Sequence, residues 1–239
     1  MNFAQRYLTG NDLGKWRDTH FRLTGVAVAG LQSSFLIDWY AVSRRVVNID
    51  RYLAPAIEPN EYSPSIQFVP GGPISMWRTI EQAIIYMISR ADHSICIQTP
   101  YFLPTEGLTQ ALQTAALGGV DVRLMLPERS DTRSANLASH SYLEDMLRAG
   151  VKVYFYRAGF LHSKLLLADD ELACIGSANF DFRSFEHNFE INAFVYHRPF
   201  AERLRRMFMD DLKECMPIRA SDWMRRPLPR RLIESFLRL

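Results

Sequence analysis

Two short apolar runs joined by a charged turn constrain this chain more than any other feature. Leu165-Leu166-Leu167-Ala168 and Leu172-Ala173-Cys174-Ile175 flank Asp169-Asp170-Glu171. Runs of this length about a polar turn form a β-hairpin buried on both faces. Side chains alternate along a strand, so His162 and Lys164, just ahead of the first run, face the same way. A turn centred near Asp170 sets Lys164 opposite Gly176 and His162 opposite Ala178. The loop Gly176-Ser177-Ala178-Asn179 therefore returns beside the His/Lys pair. Imidazole works as a nucleophile or as a general acid/base near neutral pH. Lysine supplies a compact positive charge for a phosphoryl oxygen. A small glycine and two hydrogen-bonding side chains complete a phosphate-handling set. A lone histidine in such a strand is as readily an ordinary strand residue; the whole pattern at fixed spacing is specific.

Around the hairpin the chain alternates strand and helix. The patterns predict strands at Ile66–Val69, Ser94–Thr99, Val120–Leu126, Val151–Tyr156 and Asn188–Tyr196. They predict helices at Trp77–Arg90 with Ser75 as cap, Pro104–Leu117 closed by Gly118-Gly119, Ala135–Arg148, and Pro199–Glu214. Such alternation argues for an α/β layered sheet flanked by helices. With 239 residues, of which 48% are hydrophobic, there is ample material for a core. A net charge of +2 implies no global field for polyanions. Cys96, Cys174 and Cys215 are odd in number and widely spaced, as reduced, buried thiols are, and no metal-ligand spacing is present. No apolar run reaches the roughly 18–20 residues that span a bilayer.

The pattern His162-x-Lys164-x4-Asp169-x6-Gly176-Ser177-x-Asn179 resembles the signature of the phospholipase D superfamily, at every signature position. Short segments in order along nearly the whole chain are similar to bacterial cardiolipin synthases of that type. They include Trp16-Arg17-Asp18-Thr19-His20, Thr99-Pro100-Tyr101-Phe102-Leu103-Pro104, Ser141-Tyr142 and Arg183-Ser184-Phe185. The resemblance implies that His162 is either the nucleophile that forms a phosphohistidine or its acid/base partner. It implies that Lys164, Ser177 and Asn179 bind phosphate, that Asp169 supports the local charge network, and that Glu190 orients the histidine. Phe189 and Ile191 flank Glu190 on the opposite face; the alternative for Glu190 is a solvated strand residue.

By the same resemblance, residues 1–64 form the tail of a preceding similar unit and a linker, 65–216 a second, complete catalytic unit, and 217–239 a basic amphipathic segment. In that tail Asn2 is the counterpart of Asn179, and so a phosphate ligand, while Asp18 is the counterpart of Glu190. Family members use two histidines facing across a pseudo-twofold interface. His20, His93, His140, His187 and His197 each lack the Lys two residues on. The second histidine is then expected from another copy of the chain or from a missing amino-terminal half. The family also implies no cofactor, phosphatidylglycerol as substrate, and a peripheral, cytosol-facing place on the cell membrane without a transmembrane segment in this chain. Cardiolipin synthases carry amino-terminal membrane helices, and their absence fits a chain that begins late.

Two other function classes stand beside phosphatidyl transfer. One is a single-signature phosphodiesterase or nuclease acting as a homodimer. A groove for nucleic acid would gather arginines around the signature, and here they gather at the carboxyl end, so nucleic acid is not the expected partner. The other is an inert half. Between Pro217 and Leu239 there are six arginines, and Leu228, Leu232 and Phe236, with Ile233 and Leu237, form a helical stripe. That stripe lies either on an anionic bilayer or against its own domain. Phe102 and Leu103 likewise touch acyl chains or belong to the core.

Overall fold

The computed structural model describes residues 4–48, 52 and 64–237. Its centre is an eight-stranded mixed sheet. β2 (Ser65–Gly71), β3 (Ser94–Gln98), β5 (Asp121–Pro127), β6 (Lys152–Tyr156), β8 (Leu165–Ala168), β9 (Leu172–Gly176), β11 (Glu190–Tyr196) and β12 (Cys215–Pro217) lie in the order β12-β6-β5-β3-β8-β9-β11-β2. β3, β5 and β6 run parallel, linked by helical crossovers, and the other neighbours are antiparallel. The expected strands and the α/β layering are present, with ends shifted by a residue or two.

Period-two alternation divides the sheet between two cores. Ile95, Ile97 and Leu166 pack with α3 (Thr79–Ser89), α4 (Glu106–Leu117) and α5 (Arg133–Arg148) on one face. Cys96, Leu165 and Leu167 pack with α7 (Arg198–Leu212) on the other, against Ala201, Leu204 and Phe208. Both faces are covered, which is why the central strands read as unbroken apolar runs. The cysteines are unpaired, and burial raises the Cys96 thiol to about 11 and the Cys174 thiol to about 12.

The hairpin forms at the predicted register, with Leu165 opposite Ile175 and Ala168 opposite Leu172. Asp169 and Asp170 both take positive φ, 53° and 57°, in the three-residue loop that closes the hairpin, where the Glu171 N–H donates to the Ala168 carbonyl at 3.1 Å. Aspartate tolerates this region better than most residues. The Asp169 carboxylate accepts the backbone N–H groups of Asp92, His93 and Ser94 at 2.7, 2.8 and 2.8 Å. It thereby fastens the turn to the start of β3. Burial raises the Asp169 carboxyl, but these three donors outweigh it and hold it below the usual range.

Several short elements escape periodicity. β4 (Phe102–Leu103) pairs with β10 (Phe180–Asp181), and β1 (Lys15–Arg17) pairs in parallel with β7 (Gly159–Leu161). Phe102 is fully buried and belongs to the core. Ser75 caps no helix: α3 begins later, and Thr79 ties its first turn to the Pro70 carbonyl at 2.6 Å. The carboxyl-terminal stripe does not pack on its own domain. In α9 (Leu228–Phe236) the apolar side chains face outward, and Glu234 is the buried residue.

Replacing Asp169 with alanine strands three backbone donors and should cost about 1–3 kcal/mol of stability. The midpoint of urea unfolding should fall accordingly. Asp169→Asn keeps an acceptor and tolerates the left-handed backbone, so it should cost less. Equal, near-zero effects would refute the stapling role.

Candidate active site

The site forms where residues near the start of the chain meet the signature. β1 lies beside β7 with Arg17 opposite Leu161, and the His162 N–H donates to the Arg17 carbonyl at 2.7 Å. Gly159 permits this approach, because a Cβ there would lie 3.0 Å from the Lys15 carbonyl carbon and still closer to its oxygen. Arg17 also grips α7. Its guanidinium makes two bonds to the Asp211 carboxylate, at 2.9 and 2.8 Å, and Gln98 donates to the same carboxylate at 2.8 Å. Ser163, fully buried, donates to the Thr19 hydroxyl at 2.8 Å.

This arrangement sets Asp18 on the catalytic candidate. Its Oδ2 lies 2.9 Å from His162 Nδ1. Burial pushes the Asp18 carboxyl up, but the His162 hydrogen bond, the Lys164 and His162 charges and the Thr19 N–H together hold it below its ordinary value. An ionised carboxylate only accepts, so Nδ1 donates to Asp18, and Nε2 is the ring nitrogen that no carboxylate holds. Tyr7, on α1 (Arg6–Thr9), brings its hydroxyl to 3.1 Å from the same Nδ1. Trp16 and Phe160 wall the imidazole at centroid distances of 5.3 and 5.9 Å.

Lys164 Nζ lies 3.0 Å from each ring nitrogen and donates to the His162 carbonyl at 2.6 Å. Burial lowers its pKa to about 8, while the negative charges of Asp18 and Glu190 pull it back upward. Lys164 thus stays largely cationic near neutral pH, yet little solvated. Such a cation gains much from an entering phosphoryl oxygen.

His162, Lys164, Ser177 and Asn179 share one open cleft of about 760 Å³ with Asp18 and His20. Asn179 Oδ1 is buried without a hydrogen-bond partner among the described residues. Ser177 is less free: its N–H donates to the Ile191 carbonyl at 3.1 Å, and its hydroxyl accepts the Ile191 N–H at 3.0 Å. A Cβ on Gly176 would come within 2.6 Å of the Asn192 Cα, so only glycine fits where the loop leaves the sheet. Asn192, which no sequence pattern singled out, accepts the Ala178 N–H at 3.2 Å and holds that loop.

Two expected residues stand apart from the imidazole, and a third is not described. Asp169 sits at the far end of the hairpin, bound to backbone donors and outside the cleft. Glu190 is not the carboxylate on His162; its Oε1 accepts from Asn188 at 3.2 Å, and Asp18 holds the imidazole. Asn2 lies outside the described residues. His140 is no second catalytic group, since it is buried between Phe155 and Trp223, and burial lowers it to about 4. Tyr7 and Trp16 were missed as contacts of His162, because neither belongs to a spaced pattern with it.

The charge coupling is measurable. Lysine ¹³Cε NMR should show Lys164 titrating near pH 8, well below ordinary lysines. Asp18→Asn removes the anion that sustains its charge, so Lys164 should deprotonate at lower pH still. An unshifted titration in the variant would show that Asp18 does not govern the site's charge.

The family model described as "Cardiolipin synthase, PLD-like domain" matches residues 84–212. The chain is 44% identical to a cardiolipin synthase of Geobacillus sp. (strain WCH70), over 100% of the chain and 48% of that protein. It is 42% identical to the major cardiolipin synthase ClsA of Bacillus subtilis (strain 168), over 100% of the chain and 50% of that protein. The chain thus spans about half the length of these relatives. Among solved structures, phosphatidylserine synthase of Haemophilus influenzae aligns with a TM-score of 0.64 at 15% identity, covering 87% of this chain and 58% of that one. Nuc of Salmonella typhimurium, a phospholipase D family member, aligns at 0.57 and 23%, covering 66% and 99%. These two likenesses establish the fold. With the family model spanning more than half of its length, the chain belongs to the cardiolipin synthase group of phospholipase D-like proteins.

Proposed function

We propose that this chain supplies one catalytic half of a phosphatidyltransferase that makes cardiolipin from two phosphatidylglycerol molecules. The observation that carries the reading is the composition of the cleft. Its lining combines His162, Lys164, Ser177 and Asn179 with Phe21, Leu23, Val28, Leu31 and Phe68. Phosphate-binding groups beside an apolar wall suit a phosphodiester with an acyl tail better than they suit a nucleic acid strand.

In this scheme Nε2 of His162 attacks phosphorus, with Nδ1–H held by Asp18. The P–O bond to one glycerol breaks, and that glycerol leaves after taking a proton from a general acid. Lys164 and Asn179 stabilise the charge on the phosphoryl oxygens. The glycerol hydroxyl of a second phosphatidylglycerol then attacks the phosphatidyl-histidine, the P–N bond breaks, and Nε2 is regenerated. The hydroxyl's proton passes to the group that acted as acid.

That acid is the histidine of a second, similar unit, since His162 alone among the six histidines has a lysine two residues on. The missing length of the relatives, or a second copy, provides it. Glu190 then has a natural task. If Asp18 serves the histidine of the following unit, its counterpart Glu190 serves the histidine of the other. The protein works at the face of a membrane, because its substrate resides there, although no described helix is long and apolar enough to cross one.

The test uses phosphatidylglycerol vesicles, the full chain, and an amino-terminal fragment of a relative carrying the other signature. Cardiolipin should form, and His162→Ala should lose at least about a thousandfold of the rate. Intact mass should show a phosphatidyl adduct that depends on His162. Neither product nor adduct from well-folded, complemented protein would refute the proposal. Cleavage of single-stranded DNA that requires His162 would replace it with a nuclease.

A further inference from the structure

α9 is built inside out for a helix on a soluble surface. Its charged face is the one that is fastened down. Glu234 is 1% exposed and accepts from Arg226 at 2.7 Å and from Arg230 at 3.1 Å. Arg226 also lies over the Trp223 ring, 3.7 Å from its centroid. Arg231 makes two bonds of 3.0 Å to Glu144 on α5. Losing either partner would leave a buried charge uncompensated, so the orientation is firmly set. At 100° per residue, the side opposite Glu234 carries Leu228, Leu232, Ile233 and Phe236. These are 69%, 70%, 55% and 73% exposed. Amphipathic helices normally bury that stripe, and a contiguous apolar patch left open marks a docking surface.

We propose that α9 is a membrane-docking element that lies on an anionic bilayer with Leu228, Leu232 and Phe236 among the acyl chains. Charge complementarity selects this occupant. Arg225, just ahead of the helix, is exposed, and Arg230 on it is half-exposed, while the neighbouring carboxylates Glu144 and Glu234 are already paired with arginine. The remaining field at the stripe is therefore positive. An apolar face bordered by arginine is what an interfacial helix presents to acidic headgroups. The preference for a bilayer over a second copy rests in part on the lipid chemistry proposed above. The ion pairs do more than hold the helix. They keep its arginines from folding back across the stripe, so the apolar surface stands ready without rearrangement.

The experiment is co-sedimentation of the full chain with vesicles of phosphatidylcholine, with and without phosphatidylserine. Phosphatidylserine is anionic but is not the proposed substrate, so binding is read independently of the reaction. Wild type should bind the anionic vesicles, less so at high salt, and Leu232→Glu/Phe236→Glu should bind at least about tenfold more weakly with unchanged circular dichroism. His162→Ala should bind like wild type. Because α2 (Ala27–Ser43) also exposes Phe35 and Trp39, Phe35→Ser/Trp39→Ser is the matching control and should bind like wild type. Loss of binding in that control alone, or none in the α9 variant, would overturn the proposal. So would a dimer that the α9 variant abolishes, with no vesicle binding by wild type. That result would make a second copy the occupant.

Discussion

Three residues of backbone, Lys15 to Arg17, lie parallel to Gly159–Leu161, and that pairing decides where Asp18 stands. The contact is locked at both ends. Gly159 admits the opposing carbonyl, and the Arg17 guanidinium clasps Asp211 on α7. The hairpin alone would present His162 and Lys164 with no carboxylate to fix the imidazole's tautomer. With the pairing in place, one ring nitrogen is committed to Asp18 and the other is left to Lys164, 3.0 Å away. The site's electrostatics follow: a desolvated lysine, a carboxylate kept ionised by its neighbours, and a histidine held between them.

The rest of the molecule serves this placement at a distance. The doubly covered sheet gives the hairpin a rigid base, and Asp169 pins its far end to β3. Asn192 and Gly176 shape the loop that carries Ser177 and Asn179 back to the cleft. Catalytic groups on rigid strands hold their geometry more closely than groups on free loops.

Much of this was legible in the residues. The hairpin, its register and the meeting of His162 and Lys164 with the Gly-Ser-Ala-Asn loop follow from run length and strand parity. Other readings went astray for definable reasons. Asp169 belongs to the same spaced signature as His162, but seven residues at roughly 3.3 Å each carry it about 23 Å along the chain. Its place in the signature reports a turn rather than a shared pocket. Flanking apolar residues indicate that Glu190 lies on a strand, but they cannot name its partner. The carboxylate on His162 instead comes from the residue matched to Glu190 by faint internal similarity. Periodicity drew the stripe on α9 correctly. Which side of the helix faces inward was decided by Glu234, whose pairing with Arg226 depends on a packing environment no local pattern encodes.

The Asp18–His162 contact joins residues 144 positions apart. Closing so long a loop is entropically costly and comes late relative to local structure such as the hairpin. A half-folded chain therefore holds its histidine without the Asp18 carboxylate or the Trp16 ring. Nucleophilic competence arrives together with the completed tertiary structure. On the chemistry proposed above, the site is in this way assembled only as the chain folds, with its timing set by topology.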